Sequence, residues 1–100
     1  MLYDPVELQS SLAAAVGDDA ALIAELQSAF IESAQAHLEI LAAARSDTDW
    51  IMSALRLQGL AASFGASPLM RLADDAAAAT RGDAAILKRI GEELDQLRAG

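Results

Sequence analysis

Only one imidazole, His37, is present in this chain, and there is no cysteine. Those two facts remove much of the side-chain chemistry available to a small domain. Without cysteine there is no disulfide framework, thiolate zinc site or cysteine nucleophile. A single histidine prevents a His-pair metal site within one chain. The carboxylates Asp74-Asp75 and Glu92-Glu93 are sequence neighbours. Side chains one position apart diverge around a helix, so each pair reads as a solvated face rather than a shared acid–base site. Asp18-Asp19 reads as a helix cap, Ser63 and Ser67 have no histidine partner at recognisable spacing, and no Gly-rich phosphate loop is present. For His37 itself three roles are open: a packed or partly buried ring with one nitrogen hydrogen-bonded, a regulatory protonation site, or a phosphoacceptor. The first is expected, because His37 falls among the apolar positions of its helix. The composition therefore predicts a non-catalytic chain with no cofactor and no metal.

The elements that must position these residues follow from composition and punctuation. The chain has 100 residues, 54% hydrophobic but 4% aromatic, with a formal net charge of −8. Valine and threonine supply two residues each, too few of the β-branched residues that strands favour, so an all-β fold is excluded. At this length one domain, 1–100, with one modest core is expected. Seven Lys and Arg against fifteen Asp and Glu argue against nucleic acid, whose phosphates need clustered cations. Polar residues interrupt every apolar run, so no membrane span of about 20 residues is expected. Met1-Leu2-Tyr3-Asp4-Pro5 lacks the basic region of a signal peptide, which points to a cytoplasmic location.

Asp4-Pro5-Val6-Glu7 reads as cap, proline at the first helical position and a glutamate bonding back, opening a short helix that Gly17 ends. Asp18 or Asp19 then caps a long helix to about Arg45, and Ser46-Asp47-Thr48-Asp49 opens another that Gly65 closes. Ser67-Pro68 repeats the cap-then-proline start of a helix to about Thr80. Arg81-Gly82 stops it, and Asp83 caps a last helix to about Arg98. Short connections place neighbouring helices antiparallel, so the predicted fold is all-α, an up-and-down four-helix bundle preceded by a short N-terminal helix.

At roughly 100° per residue, Ile23, Leu26, Phe30, Ala34, Leu41 and Ala44 share one side of the long helix. Trp50, Ala54, Leu57, Ala61 and Phe64 form a stripe on the next, and Ile86 or Leu87, Ile90, Leu94 and Leu97 on the last. These stripes are the predicted core. Met52, Leu55, Gly59 and Ala62 lie more than a quarter-turn from the Trp50 stripe, with Arg56 and Ser63 beside them. That second apolar feature is either a wide stripe flanked by another helix or a docking patch. Gly59 favours docking, because a mid-helix glycine costs ~1 kcal/mol relative to alanine and marks a close approach or a packing need.

Residues 54–66, Ala54-Leu55-Arg56-Leu57-Gln58-Gly59, five residues, then Gly65-Ala66, followed by Leu69, Leu72 and Ala73, resemble the motif of histidine-containing phosphotransfer (HPt) domains. That motif runs Ala-His-x-Leu-Lys-Gly, five residues, Gly-Ala and spaced leucines. The resemblance covers most of the chain, including the order of its helices, and implies the HPt architecture. It also places Leu55 where the family carries the phosphate-accepting histidine and Gln58 where it carries a nearby lysine. Leucine has no lone pair to accept phosphate, so the resemblance implies a pseudo-HPt domain that keeps the dock and lacks the chemistry. Its partner would be the receiver domain of a response regulator or hybrid kinase, met through Met52, Leu55, Arg56, Gln58, Gly59, Ala62 and Ser63. Two alternatives accompany this expectation. The Met52/Leu55 patch offers a symmetric homodimer interface. Active phosphotransfer would run through His37, or through a histidine that leucine has replaced at position 55.

Overall fold

A computed structural model describes residue 17 and residues 19–99 of the chain. Within them lie four helices and no strand: α1 (Ala20–Ala42), α2 (Asp47–Ser63), α3 (Ser67–Ala78) and α4 (Ala84–Ala99). The short helix expected over 5–16 falls outside the described residues. Each helix packs on its neighbours in chain order, and α4 closes against α1, giving a bundle-like ring around one core. None of these helices is long and apolar enough to cross a membrane.

Local chemistry sets the boundaries. The Asp19 carboxylate accepts from the Leu22 N–H at 3.0 Å, capping α1. Ser46 Oγ accepts from the Asp49 N–H at 3.1 Å at the start of α2. There Asp47 and Asp49 also set negative charge against the positive end of the helix dipole. One Asp83 oxygen accepts from both Ala85 and Ile86 N–H groups to open α4. Gly65 and Gly82 turn the chain at φ 68° and 81°, a region that only glycine enters without steric cost. The start of α3 differs from expectation. Ala66 occupies the cap with no side-chain bond and Ser67 is already helical, because Pro68 supplies the preset φ and needs no donor partner in the first turn.

The core is built from the predicted stripes. Phe30, Ala34, Leu41, Trp50, Ala54, Leu57, Ala61, Ile90, Leu94 and Leu97 are buried. Ile23, Leu26, Ala44 and Phe64 pack partly buried against them. Ile86 rather than Leu87 takes the fully buried place in the first turn of α4. The stripe of α1 is wider than read from the sequence, with Ile31 and Leu38 also buried. The Phe30 and Phe64 rings stack at 4.7 Å between centroids, and the Trp50 indole N–H donates to the Ala76 carbonyl at 2.7 Å. That last bond ties α2 to the end of α3. Buried alanines on α1, α2 and α3 (Ala34, Ala54, Ala61, Ala73 and Ala76) keep the helix backbones close.

Candidate functional site

Once Trp50, Ala54, Leu57 and Ala61 are committed to the core, helical geometry turns the opposite side of α2 outward. Leu55 and Met52 are each 48% exposed. Arg56, Gly59, Ala62 and Ser63 are exposed with them, and Gln58 is half-buried at the edge. The structure therefore brings all seven predicted docking residues onto one helix, six of them facing outward. Ser63 Oγ donates back to the Gly59 carbonyl at 2.9 Å, a local bond that leaves the surface beside Gly59 clear. Among the described residues a Cβ built on Gly59 would meet nothing within 4 Å. Packing among them thus gives no reason for glycine here.

The apolar surface continues across the α1–α2 boundary. Ile40, 54% exposed, is the most exposed large hydrophobic residue among the described residues. It lines a groove of about 470 Å³ with Ala43, Ala44, Met52 and Ser53, bounded by Arg45, Asp49 and Arg56. The sequence reading missed Ile40. Its signal was the pair Ile40-Leu41: adjacent residues on a helix cannot share one face, and Leu41 takes the core. Ile51, 43% exposed, extends the apolar surface along α2. Arg45 is held at the α1–α2 junction by its carbonyl, which accepts from the Arg81 guanidinium, and Arg81 also pairs with Asp47 at 3.3 Å. Arg56 forms no ion pair among the described residues.

His37 lies half-buried on α1. Its Nδ1 is 2.7 Å from the Ser33 carbonyl one turn back, where it donates. This matches the packed, hydrogen-bonded ring expected of it. Trp50 is a core residue, as read from its stripe. Asp74, Asp75 and Glu92 are exposed, as a solvated face requires.

Glu93 corrects that last reading. It is 8% exposed, and its Oε2 is buried without a hydrogen-bond partner among the described residues. Glu93 sits one residue before core Leu94, on the side of α4 that turns toward α3, where it lines a cleft beside Pro68 and Leu72. Desolvation pushes its carboxyl above the usual range, and the positive charge of Arg71 on α3 partly opposes that rise.

Among the described residues no group of three or more His, Cys, Asp or Glu side chains converges to hold a metal ion. Comparison with protein-family models, curated proteins and solved structures returns no match.

Proposed function

We propose that this chain is an HPt-like module of two-component phosphorelay signalling that docks a receiver domain without itself carrying phosphate. The observation that carries the reading is Leu55. It is apolar, half exposed, and stands where the HPt resemblance puts the phosphoacceptor histidine. Met52 and Ile40 extend the surface, and the clear space over Gly59 lets a partner backbone approach the helix. On this reading the four helices form an antiparallel up-and-down bundle, a short helix precedes it, and the module is cytoplasmic.

The energetics favour a dock led by apolar contact. The net charge of −8 and the neutral Gln58 weaken attraction to the acidic centre of a receiver. Arg45 and Arg56 at the rim of the groove supply the local positive charge. Covering the exposed halves of Leu55, Met52 and Ile40 contributes on the order of 1 kcal/mol each. A bound module regulates by the difference in its affinity for the receiver's two states.

The test compares the chain with Leu55→His and Leu55→Asp variants in receiver binding and phosphotransfer. Binding that Leu55→Asp abolishes, with phosphotransfer gained in Leu55→His, is the expected result. No binding to any receiver, with or without a phosphate mimic, sinks the proposal. A concentration-dependent dimer that Leu55→Asp disperses, without receiver binding, would assign the face to self-association instead. Acid-labile phosphate on the unaltered chain, lost in His37→Gln, would assign phosphotransfer to His37.

A further inference from the structure

The cleft between α3 and α4 combines features that no part of the docking reading uses. Arg71 and Asp75 stand at i and i+4 on α3, and Arg89 and Glu93 do so on α4. This spacing turns each pair to one face of its helix, and the two faces enclose about 480 Å³. Four carboxylates, Asp74, Asp75, Glu92 and Glu93, share the lining with two guanidiniums, Arg71 and Arg89. These charges are not tied to one another. Among the described residues the ion pairs lie elsewhere, at Arg81–Asp47 and Arg98–Asp95. Of the charged lining residues Glu93 alone is buried, more than nine-tenths, and its Oε2 lacks any donor among the described residues. A buried polar atom without a partner is rare in a native fold and is ordinarily met by an ordered water, an ion or a ligand group.

We propose that the α3–α4 cleft binds a primary ammonium group, which donates N–H bonds to the Glu93 carboxylate. The charge balance selects a cation, and the orphaned acceptor selects a cation that carries N–H donors. Pro68 and Leu72 supply apolar wall for the methylene stem that such a group carries. A divalent metal fits poorly, because no set of three ligating side chains converges among the described residues. An anion would face an excess of carboxylates. Arg71 is the internal competitor, acting on Glu93 through space without a hydrogen bond to Oε2. From α1, on the other side of α4, no charged group reaches the cleft. The terminal torsion of a glutamate is soft, so the carboxylate can turn until both oxygens meet the N–H groups of a bound ammonium.

The ammonium has two sources, a free diamine or the lysine side chain of a partner protein. Isotope-labelled full-length chain would be titrated at several pH values, because burial raises the Glu93 carboxyl and only its ionised form accepts from an ammonium. The probes are putrescine, a lysine blocked at both backbone ends, and tetramethylammonium as a cation without N–H donors. Saturable amide shifts at Arg71, Leu72 and Glu93 are expected with at least one amine, with a dissociation constant in the roughly millimolar range, and none with tetramethylammonium. Glu93→Gln should weaken binding by about tenfold or more. Arg71→Gln should tighten it, a direction that a merely structural arginine would not give. Response to putrescine alone identifies a free amine, and response to blocked lysine a side chain; both support the site. Absence of a saturable response to either amine overturns the proposal, as does equal binding by a folded Glu93→Gln. If Glu93→Gln fails to fold, the carboxyl carbon of Glu93 in the unaltered chain decides. Saturating amine must lower its titration midpoint, and an unmoved midpoint refutes the site.

Discussion

Replacing Gly59 with alanine separates the needs of the fold from those of a partner. Gly59 lies inside α2 and is not among the glycines with positive φ, so alanine can adopt its backbone conformation. A Cβ there meets nothing within 4 Å, and no clash offsets the gain in helix propensity. Glycine is about 0.8–1 kcal/mol worse than alanine inside a helix, so Gly59→Ala should stabilise the chain by about that amount. In a domain of this size each kcal/mol raises Tm by roughly 4–8 °C. The urea midpoint should rise with an unchanged slope, because the surface exposed on unfolding is nearly the same. The Ser63 hydroxyl bonds to the Gly59 carbonyl, a backbone atom that the substitution leaves in place. A loss of stability would refute this reasoning, since it would reveal a contact that the open space over Gly59 does not contain. The same variant should weaken the proposed receiver docking, because its methyl group stands where a partner backbone would approach. Stability and binding should therefore move in opposite directions. Stabilisation with undiminished docking would detach Gly59 from the proposed interface.

Three further outcomes follow from burial and bonding. Trp50→Phe removes the indole bond to the Ala76 carbonyl, but that carbonyl keeps the Ala79 N–H at 3.0 Å. No orphaned acceptor remains, and the cost in chemical denaturation followed by circular dichroism should be about 1–3 kcal/mol; a loss below about 0.5 kcal/mol would contradict the tie between α2 and α3. Leu55→Asp, at a half-exposed position, should change stability by no more than about 0.5 kcal/mol, so any lost binding reflects the surface rather than unfolding. Glu93 has its carboxyl pKa raised in the folded state. Its contribution to stability is thus fully present below the unfolded glutamate value of about 4.3 and is lost as pH rises through the higher folded value. Glu93→Gln should flatten that decline in urea midpoints measured upward from about pH 4; an unchanged slope would place the proton uptake elsewhere.

The helices were legible because alanine and leucine leave few alternatives and because the punctuation is local. Asp19, Ser46, Asp83, Gly65 and Gly82 act within a turn of their own positions, so their roles need no tertiary information. The outward turn of Leu55 was legible for the same reason, since committing Trp50, Ala54 and Leu57 to the core determines it. Two features were not legible. The outward turn of Ile40 follows from giving Leu41 to the core stripe, but the groove that Ile40 forms with Met52 depends on where α2 packs. Glu93 follows an apparently solvated Glu92, yet the approach of α3 covers it. Both depend on how wide a strip of helix a neighbour shields, a quantity set by packing between helices rather than by spacing along one.

Ile40, Leu55 and Glu93 break the same rule in opposite directions. Two large apolar residues are about half exposed, and a carboxyl group is buried in the wall of a cleft. An apolar residue at 93 would recover the stability that a buried carboxyl forgoes, whereas a polar residue at 40 or 55 would be nearly neutral for the fold. Local conflicts of this kind concentrate where a chain meets something other than itself. With the helices packed in chain order and α4 closed on α1, the α1–α2 groove and the α3–α4 cleft lie on opposite sides of the ring. The apolar face suits a protein surface, and the acidic cleft suits a small cation or a single lysine. Neither site shares a residue with the other. Leu55→Asp should therefore leave the proposed amine binding intact, and Glu93→Gln the proposed receiver docking. Loss of both activities in either variant, while the fold survives, would mean that the two faces are coupled through the core between them.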